Sequence, residues 1–180
     1  MTPLTSHLSF LTSNIYLIGF MGCGKTTVGK RLAARLEFSF ADTDELFSTV
    51  HNCSVKEFFD LYSEEKFREE EQKILYQTQF MDNTVIAVGG GTPCYQDNMQ
   101  WMLSNGITVY IKMPAMALCH RLANSKTQRP LLSSLPNQDI KNTIETLLSQ
   151  RENTYNQAHI TVSGLDFDME NLIKKIVDYE

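Results

Sequence analysis

The sequence contains no apolar run that approaches the ~20 residues needed for a membrane-spanning helix. It also lacks a strong charge of either sign. Its 16 lysines and arginines stand against 21 aspartates and glutamates, which gives a net charge of −5 and a pI near 5.4. No global field therefore draws the chain to nucleic acid or to an anionic membrane. Any anionic ligand must be held by locally placed cations.

Features of secreted and zinc-binding proteins are equally scarce. The few cysteines lie far apart, at Cys23, Cys53, Cys94 and Cys119, and form neither a CxxC pair nor a cysteine–histidine cluster. This spacing suits a reducing compartment and argues against disulfides and structural zinc. Residues 1–14 lack the basic start and long apolar stretch of a secretory signal. We therefore expect a cytoplasmic, soluble protein.

The elements that are present indicate one α/β domain over residues 1–180, with 42% hydrophobic residues available for a core. Short apolar runs predict five strands, at residues 15–18, 38–41, 85–88, 107–111 and 159–162. Helical patterns begin near residues 25, 54, 63, 94, 114, 138 and 168. This alternation predicts a three-layer fold, in which a five-stranded parallel sheet has helices on both faces and binds ligands at its carboxyl edge.

Residues 19–26, GFMGCGKT, fit the phosphate-loop pattern G-x-x-x-x-G-K-[ST]. They stand between a predicted strand and a predicted helix, which is the context that the pattern requires. Glycines there let backbone N–H groups turn inward around phosphates, and the helix adds the positive end of its dipole. The segment therefore predicts a site for a nucleoside triphosphate.

The side chains of this segment have separate expected roles. Lys25 would reach the β- and γ-phosphates, and Thr26 would ligate Mg²⁺. A helix N-terminus can make a thiol such as Cys23 oxidisable, but a spacer that contributes only its N–H is the favoured interpretation. The expected nucleotide contacts in this segment are Gly22, Cys23, Gly24, Lys25, Thr26 and Thr27.

Two carboxylates follow the second predicted strand. Asp42 and Asp44 stand two residues apart, and an extended chain would point both side chains to the same side. One carboxylate on Mg²⁺ or its water shell and one on an acceptor hydroxyl would serve phosphoryl transfer. From the pattern alone, an Asp44 that only caps the next helix is equally well supported.

Arg68 and Glu71 lie three residues apart on one predicted helix and can form a salt bridge. Further glutamates surround the arginine, so a solvated charged face is the simpler interpretation. In the alternative, Glu71 orients Arg68 for a ligand carboxylate.

Three consecutive glycines, Gly89, Gly90 and Gly91, follow the third predicted strand. Glycines allow a backbone to approach a ligand closely, which would place N–H groups at the carboxyl edge of the sheet. A flexible turn is the alternative, although the Thr92–Pro93 pair that follows favours a set conformation.

A polar stretch at about residues 123–137, interrupted by two prolines, predicts a mobile lid over the site. Arg129 lies within it and would close onto the phosphates. Arg121 near its start and Arg151 on the next helix would converge with Arg129 if the lid folds back. Each arginine alone is more typical of a solubilising surface residue.

Taken in order, these motifs resemble the shikimate kinase family. The resemblance runs from about residue 15 to residue 159. Its motifs are the phosphate loop 19–26, Asp42-x-Asp44, Phe67-Arg68-x-x-Glu71, Gly89-Gly90-Gly91, Arg129-Pro130-Leu131-Leu132 and Arg151-x-x-x-Tyr155. It implies a fold of the nucleoside-monophosphate-kinase type, with an acceptor-binding region at about residues 44–80 and a closing lid. The implied reaction is Mg²⁺-dependent transfer of the γ-phosphoryl group of ATP to the 3-hydroxyl of shikimate, in aromatic amino-acid biosynthesis.

The resemblance also implies residue roles on the acceptor side. Arg68 and Arg151 would bind the carboxylate of shikimate, and Asp44 would bind its ring hydroxyls and act as the base. Gly90, with its two glycine neighbours, would complete the acceptor site.

On the nucleotide side, the resemblance assigns Mg²⁺ to Asp42 and adenine stacking to Arg121. Lys25 and Arg129 would stabilise the transferring charge. Two departures stand out: Ser63-Glu64 replaces the Gly-Glu that is frequent in the family, and residues 162–165 lack the expected arginine- and proline-containing adenine pattern.

Two rival functions follow from the same residues. A phosphate loop does not identify the acceptor, so gluconate kinase or a nucleotide kinase of the same architecture is the nearer rival. A non-catalytic nucleotide-binding module is the other, although the chain has no guanine-reading Asn-Lys-x-Asp segment. The expected partners are ATP and shikimate, bound by a monomer, with no nucleic acid and no membrane.

Overall fold

The structure is a computed structural model that describes residues 13–123 and 137–179. Its strands are β1 (Asn14–Ile18), β2 (Ser39–Asp42), β3 (Thr84–Ala87), β4 (Gly106–Lys112) and β5 (Ile160–Ser163). They form one sheet in the order β2-β3-β1-β4-β5, and each neighbouring pair is parallel. All five predicted strands are confirmed to within one residue at each end.

The helices that connect and follow these strands are α1 (Lys25–Leu36), α2 (Thr43–His51), α3 (Val55–Leu61), α4 (Glu64–Gln77), α5 (Asn98–Asn105), α6 (Ala115–Ala123), α7 (Asn137–Tyr155) and α8 (Met169–Tyr179). Every residue of β1 and β3 is buried, as is most of β4. Because successive strand residues point to opposite faces, this burial means that helices cover both faces of the sheet. The predicted three-layer α/β fold is confirmed. No helix in the described part of the chain is long and apolar enough to cross a membrane.

A second, smaller hydrophobic cluster lies beside the main core. Its buried members are Phe47, Phe58, Phe67 and Ile74, contributed by α2, α3 and α4. The rings of Phe47 and Phe58 meet edge to face with centroids 5.0 Å apart. The predicted capping box at Ser54 and Glu57 is present and starts α3. These three helices therefore form a packed unit of their own on the route from β2 to β3.

The predicted start of α5 near residue 94 is wrong. A 3₁₀ turn occupies Thr92–Cys94, and α5 begins only at Asn98. Gln96 between them has a φ of 46°, in the left-handed region that interrupts a helix. The helical spacing was visible in the sequence, but this break in the helix was not. Of the predicted lid, residues 124–136 lie outside the described residues.

Candidate active site

The phosphate loop joins β1 to α1 through three glycines in the left-handed region. Gly19, Gly22 and Gly24 have φ values of 138°, 81° and 105°, which only glycine adopts at little cost. Gly24 is the N-cap of α1, and no side chain caps this end of the helix. The first N–H groups of α1 are thus available to an anion, as a phosphate site requires.

Two side chains at the start of α1 place an ammonium group and a hydroxyl beside the phosphate loop. The Nζ of Lys25 donates to the backbone oxygens of Gly19 and Phe20, at 2.8 and 3.2 Å, so the ammonium group lies over the loop. The hydroxyl of Thr26 donates to Oδ2 of Asp42 at 2.8 Å. The two residues expected to serve Mg²⁺ are therefore in direct contact, while their metal role stays a prediction.

Asp42 and Asp44 are placed differently from the sequence expectation. β2 ends at Asp42 and α2 begins at Thr43, so the two aspartates are not successive outward residues of an extended strand. Asp42 is the N-cap of α2, and its Oδ1 accepts from the N–H of Asp44 at 3.1 Å. Asp44 therefore does not cap the helix. A helical turn, rather than strand geometry, brings both carboxylates to one cleft.

That cleft has a volume of about 430 Å³ and follows the phosphate loop. Its lining residues are Met21, Gly22, Gly24, Lys25, Thr26, Thr27, Asp42, Asp44, Glu45, Val88, Gly89 and Gly90. A smaller chamber of about 90 Å³ adjoins it and shares Met21, Asp44, Gly89 and Gly90 with it. Asp44 therefore lies where the two cavities meet.

Arg68 and Glu71 line the smaller chamber. Nη1 of Arg68 lies 2.6 Å from Oε2 of Glu71, and their side chains are only 12% and 5% exposed. Burial would lower the pKa of Arg68, but Glu71 and the more distant Glu64 outweigh it and raise the pKa above its usual value. The solvated-face interpretation is wrong for this pair, because both side chains are largely buried, while the role of Arg68 toward a ligand carboxylate stays a prediction.

The glycine turn makes room for these same side chains. A Cβ on Gly91 would lie 2.5 Å from Nη2 of Arg68, and one on Gly89 would lie 2.5 Å from Oε1 of Glu71. Gly91 has an ordinary φ of −91°, so its lack of a side chain matters here and its backbone freedom does not. The N–H of Thr92 donates to the oxygen of Gly89 at 3.2 Å, which gives the turn the set conformation expected for it.

Arg151 reaches the chamber from α7. It lines the small chamber and, with Arg68, an outer cavity of about 430 Å³. Its guanidinium carbon lies 5.6 Å from the ring centroid of Phe20. Its Nη1 is buried with no hydrogen-bond partner in the described part of the chain. Buried polar atoms are almost always paired, so this donor fits an anionic ligand.

On the far side of the phosphate loop, Arg121 donates to the backbone oxygens of Cys23 and Gly164, at 3.3 and 3.5 Å. It thus links the loop to the turn after β5. Arg129 lies outside the described residues, so its predicted approach to the phosphates stays a prediction.

Sequence reasoning missed several residues of the site. Val55, Phe59 and Phe67 form an apolar wall of the small chamber, and Glu45 reaches the cleft. Their spacing in the sequence is that of ordinary core positions on helices, so no local signal marked them. The contact of Thr92 with Glu71, 2.6 Å between Oγ1 and Oε1, was equally unforeseeable.

A phosphate loop that opens into a chamber with two arginines and a carboxylate defines a P-loop kinase of small molecules. The sequence matches the shikimate kinase family over residues 21–179. The shikimate kinase of Azobacteroides pseudotrichonymphae is 42% identical over 164 residues, which are 91% of this chain and 96% of the relative. That of Parabacteroides distasonis is 36% identical over 159 residues, 88% and 89% of the two chains.

Solved structures give the same assignment. Shikimate kinase from Bacteroides thetaiotaomicron superposes with a TM-score of 0.85 at 33% identity, covering 93% of this chain and 97% of that one. The enzyme from Acinetobacter baumannii, solved in complex with shikimate, gives 0.84 at 31% identity, with 96% and 95% covered. A gluconokinase from Sinorhizobium meliloti, at 12% identity and a TM-score of 0.54, shares the fold alone. The chain belongs to the shikimate kinase family. It is a phosphotransferase that uses ATP and phosphorylates the alcohol shikimate, and the gluconate-kinase alternative is not favoured.

Proposed function

We propose that the protein transfers the γ-phosphoryl group of ATP to the 3-hydroxyl of shikimate, with the chamber beside the phosphate loop as the acceptor site. One observation carries this assignment: Asp44 lines both the phosphate cleft and the chamber that holds Arg68 and Arg151. An acceptor whose carboxylate lies at the two arginines would therefore have its hydroxyls near Asp44 and the γ-phosphate.

The two arginines have complementary roles in this proposal. Arg68 is already paired with Glu71 and offers its remaining N–H donors as a pre-oriented fork. Nη1 of Arg151, which has no hydrogen-bond partner among the described residues, can donate to a ligand oxygen without breaking an existing bond. Gly89, Gly90 and Gly91 complete the floor of the acceptor site.

In the transfer itself, the acceptor oxygen forms a bond to the γ-phosphorus and the bond between that phosphorus and the β–γ bridging oxygen breaks. Asp44 takes the proton of the attacking hydroxyl. Lys25 exchanges its bonds to the loop carbonyls for phosphate oxygens and stabilises the charge as it moves to ADP. Arg129 acts on the same charge.

The residues around Thr26 fit Mg²⁺. The hydroxyl of Thr26 and the carboxylate of Asp42 form a pair of hard oxygen ligands 2.8 Å apart at the phosphate loop. Mg²⁺ prefers few protein oxygens together with waters and phosphates. When bound, the ion would neutralise charge on the β- and γ-phosphates.

The nucleotide is held elsewhere by the backbone of Gly22, Cys23 and Gly24 and by Thr27, with Arg121 against adenine. The position of Arg121 between the loop and Gly164 supports this role. Free cysteines agree with a cytoplasmic location, which we propose together with a monomeric state.

The test is ADP release from Mg·ATP by purified protein, with shikimate, gluconate, nucleoside monophosphates or no acceptor in parallel. Lys25→Met, purified identically, controls for contaminating kinases. We expect release that depends on shikimate alone, and a product phosphorylated at the 3-hydroxyl by ³¹P-coupled NMR. Release with another acceptor would overturn the acceptor site but keep the phosphate loop. No release at all would favour a binding module.

A further inference from the structure

Glu71 is a buried carboxylate whose two oxygens have different partners. Oε2 accepts from Nη1 of Arg68 at 2.6 Å, and Oε1 accepts from the hydroxyl of Thr92 at 2.6 Å. Thr92 is fully buried and Glu71 nearly so. The hydroxyl of Thr92 is therefore the group that fixes the orientation of this carboxylate from the side opposite the arginine.

The backbone of Thr92 is itself held by a hydrogen bond from the start of α5. Its backbone oxygen accepts from Nδ2 of Asn98, at 2.8 Å, and the Oδ1 of Asn98 accepts from Nε2 of Gln72 at 2.9 Å. Gln72 follows Glu71 on α4, so the bonds close a ring between α4, the glycine turn and the start of α5. A largely buried ring of hydrogen bonds of this kind holds its members in one arrangement.

Arg68 has a second carboxylate within reach. Oε1 of Glu64 lies 3.5 Å from Nη2 of Arg68, and the Glu64 side chain is 60% exposed. The guanidinium thus lies between a buried partner that faces the chamber and an exposed partner that faces the outer cavity. The group that fixes the orientation of Glu71 therefore decides which of the two carboxylates Arg68 pairs with.

Resting on the function proposed above, we propose that Thr92 is a positioning residue for the acceptor carboxylate. Its hydroxyl orients Glu71, and Glu71 holds Arg68 with its free donors toward the chamber and Arg151. Without the hydroxyl, Oε1 of Glu71 loses its donor inside the protein and the carboxylate turns. Arg68 then shifts toward Glu64, and the carboxylate of the acceptor loses one of its two arginines.

The experiment compares Thr92→Val, which keeps the shape and removes the hydroxyl, with Thr92→Ser, which keeps the hydroxyl. Steady-state kinetics are measured with shikimate and with its methyl ester, which lacks the negative charge. We expect Thr92→Val to raise KM for shikimate about tenfold or more, because the carboxylate of shikimate loses its charge-assisted hydrogen bond to Arg68. The KM for Mg·ATP and the KM for the ester should stay near wild type. Thr92→Ser should restore the shikimate KM.

Glu64→Gln in the Thr92→Val background sharpens the test, since removing the competing carboxylate should lower the shikimate KM again. An unchanged shikimate KM in Thr92→Val would overturn the proposal, as would an equal rise for shikimate and ester. If Thr92→Val does not fold by circular dichroism, Thr92→Ala serves in the same comparison. A wild-type protein without shikimate turnover would refute the proposed function instead, so the two failures are distinguishable.

Discussion

The phosphate side and the acceptor side of the site are built in different ways. The phosphate side is residues 19–27 with Asp42, almost all from one loop and the helix that it starts. The acceptor side is Asp44, Arg68, Glu71, the turn 89–92 and Arg151, from four separate parts of the chain. The phosphate side is a property of a local segment, whereas the acceptor side exists only after the chain has folded.

The glycines of the two sides show the difference most clearly. In the phosphate loop, glycine is needed for backbone conformation, because three residues have a positive φ. In the turn 89–92, glycine is needed for space, because a Cβ on Gly91 would strike Arg68. A glycine motif can therefore encode either the path of the backbone or the space that distant side chains need.

The largest expected effect is at Asp44, where the two sides meet. Asp44→Asn should lower kcat by about 10²–10⁴-fold, because the proposed base for the hydroxyl proton is lost. Binding of a non-hydrolysable ATP analogue should change little by calorimetry, since the phosphate loop is intact. Glu45→Gln, which changes the neighbouring carboxylate of the cleft, should cost far less. Unchanged turnover in Asp44→Asn would remove the base assignment.

Next in size is a stability effect confined to the acceptor side. Phe58→Ala should cost about 3–5 kcal/mol of packing in the small cluster of α2, α3 and α4. Amide hydrogen exchange should then speed up in these helices while β1 and α1 stay protected. Leu32→Ala, in the main core, is the matched control and should speed exchange throughout. A uniform response to Phe58→Ala would mean that both clusters unfold as one unit.

A matched pair of glycine substitutions separates backbone strain from lost space. Gly24→Ala forces a side chain into a φ of 105° and should raise KM for Mg·ATP about tenfold, with the shikimate KM near wild type. Gly91→Ala should do the reverse, because its Cβ displaces Arg68 and not the loop. Initial-rate measurements over both substrates give the two KM values. A crossed pattern, or equal effects on both substrates, would contradict the division into two sides.

The smallest expected effect is on stability and concerns His159, which belongs to neither side of the site and lies at the amino end of β5. Nδ1 of His159 accepts from the N–H of Thr108 at 3.2 Å, and burial lowers the pKa of His159 below its usual 6.5. As the pH falls, the unfolded chain therefore protonates His159 before the folded chain does. The contribution of neutral His159 to the free energy of unfolding is complete above pH 6.5 and is lost as the pH drops toward the folded-state pKa.

The free energy of unfolding should fall by at most about 1.4 kcal/mol per pH unit. The change is measured by comparing urea unfolding midpoints at pH 7.5 and 5.5. His159→Gln should remove this part of the pH dependence without changing either KM at pH 7.5. If the stability of the variant fell more steeply between pH 7.5 and 5.5 than that of the wild type, His159 would not be the group responsible.

Most of the fold could be read from the chain because its signals are local. Apolar runs located the strands to within one residue, and the capping box at Ser54 fixed the start of α3. The errors arose where a backbone detail intervened. Gln96 in the left-handed region delayed α5, and the start of α2 at Thr43 put Asp44 on a helix rather than beside Asp42 on an extended chain.

By itself, the sequence determined the alternation of strands and helices and the phosphate loop, because glycine conformation, hydrophobic period and helix starts depend on near neighbours. The tertiary structure alone decided which charged residues meet. In the sequence, Arg68 is one charged residue among several glutamates, and only folding buries it with Glu71 and Thr92. Burial turns a surface ion pair into a fixed, desolvated one, and burial is set by contacts between residues far apart in the chain.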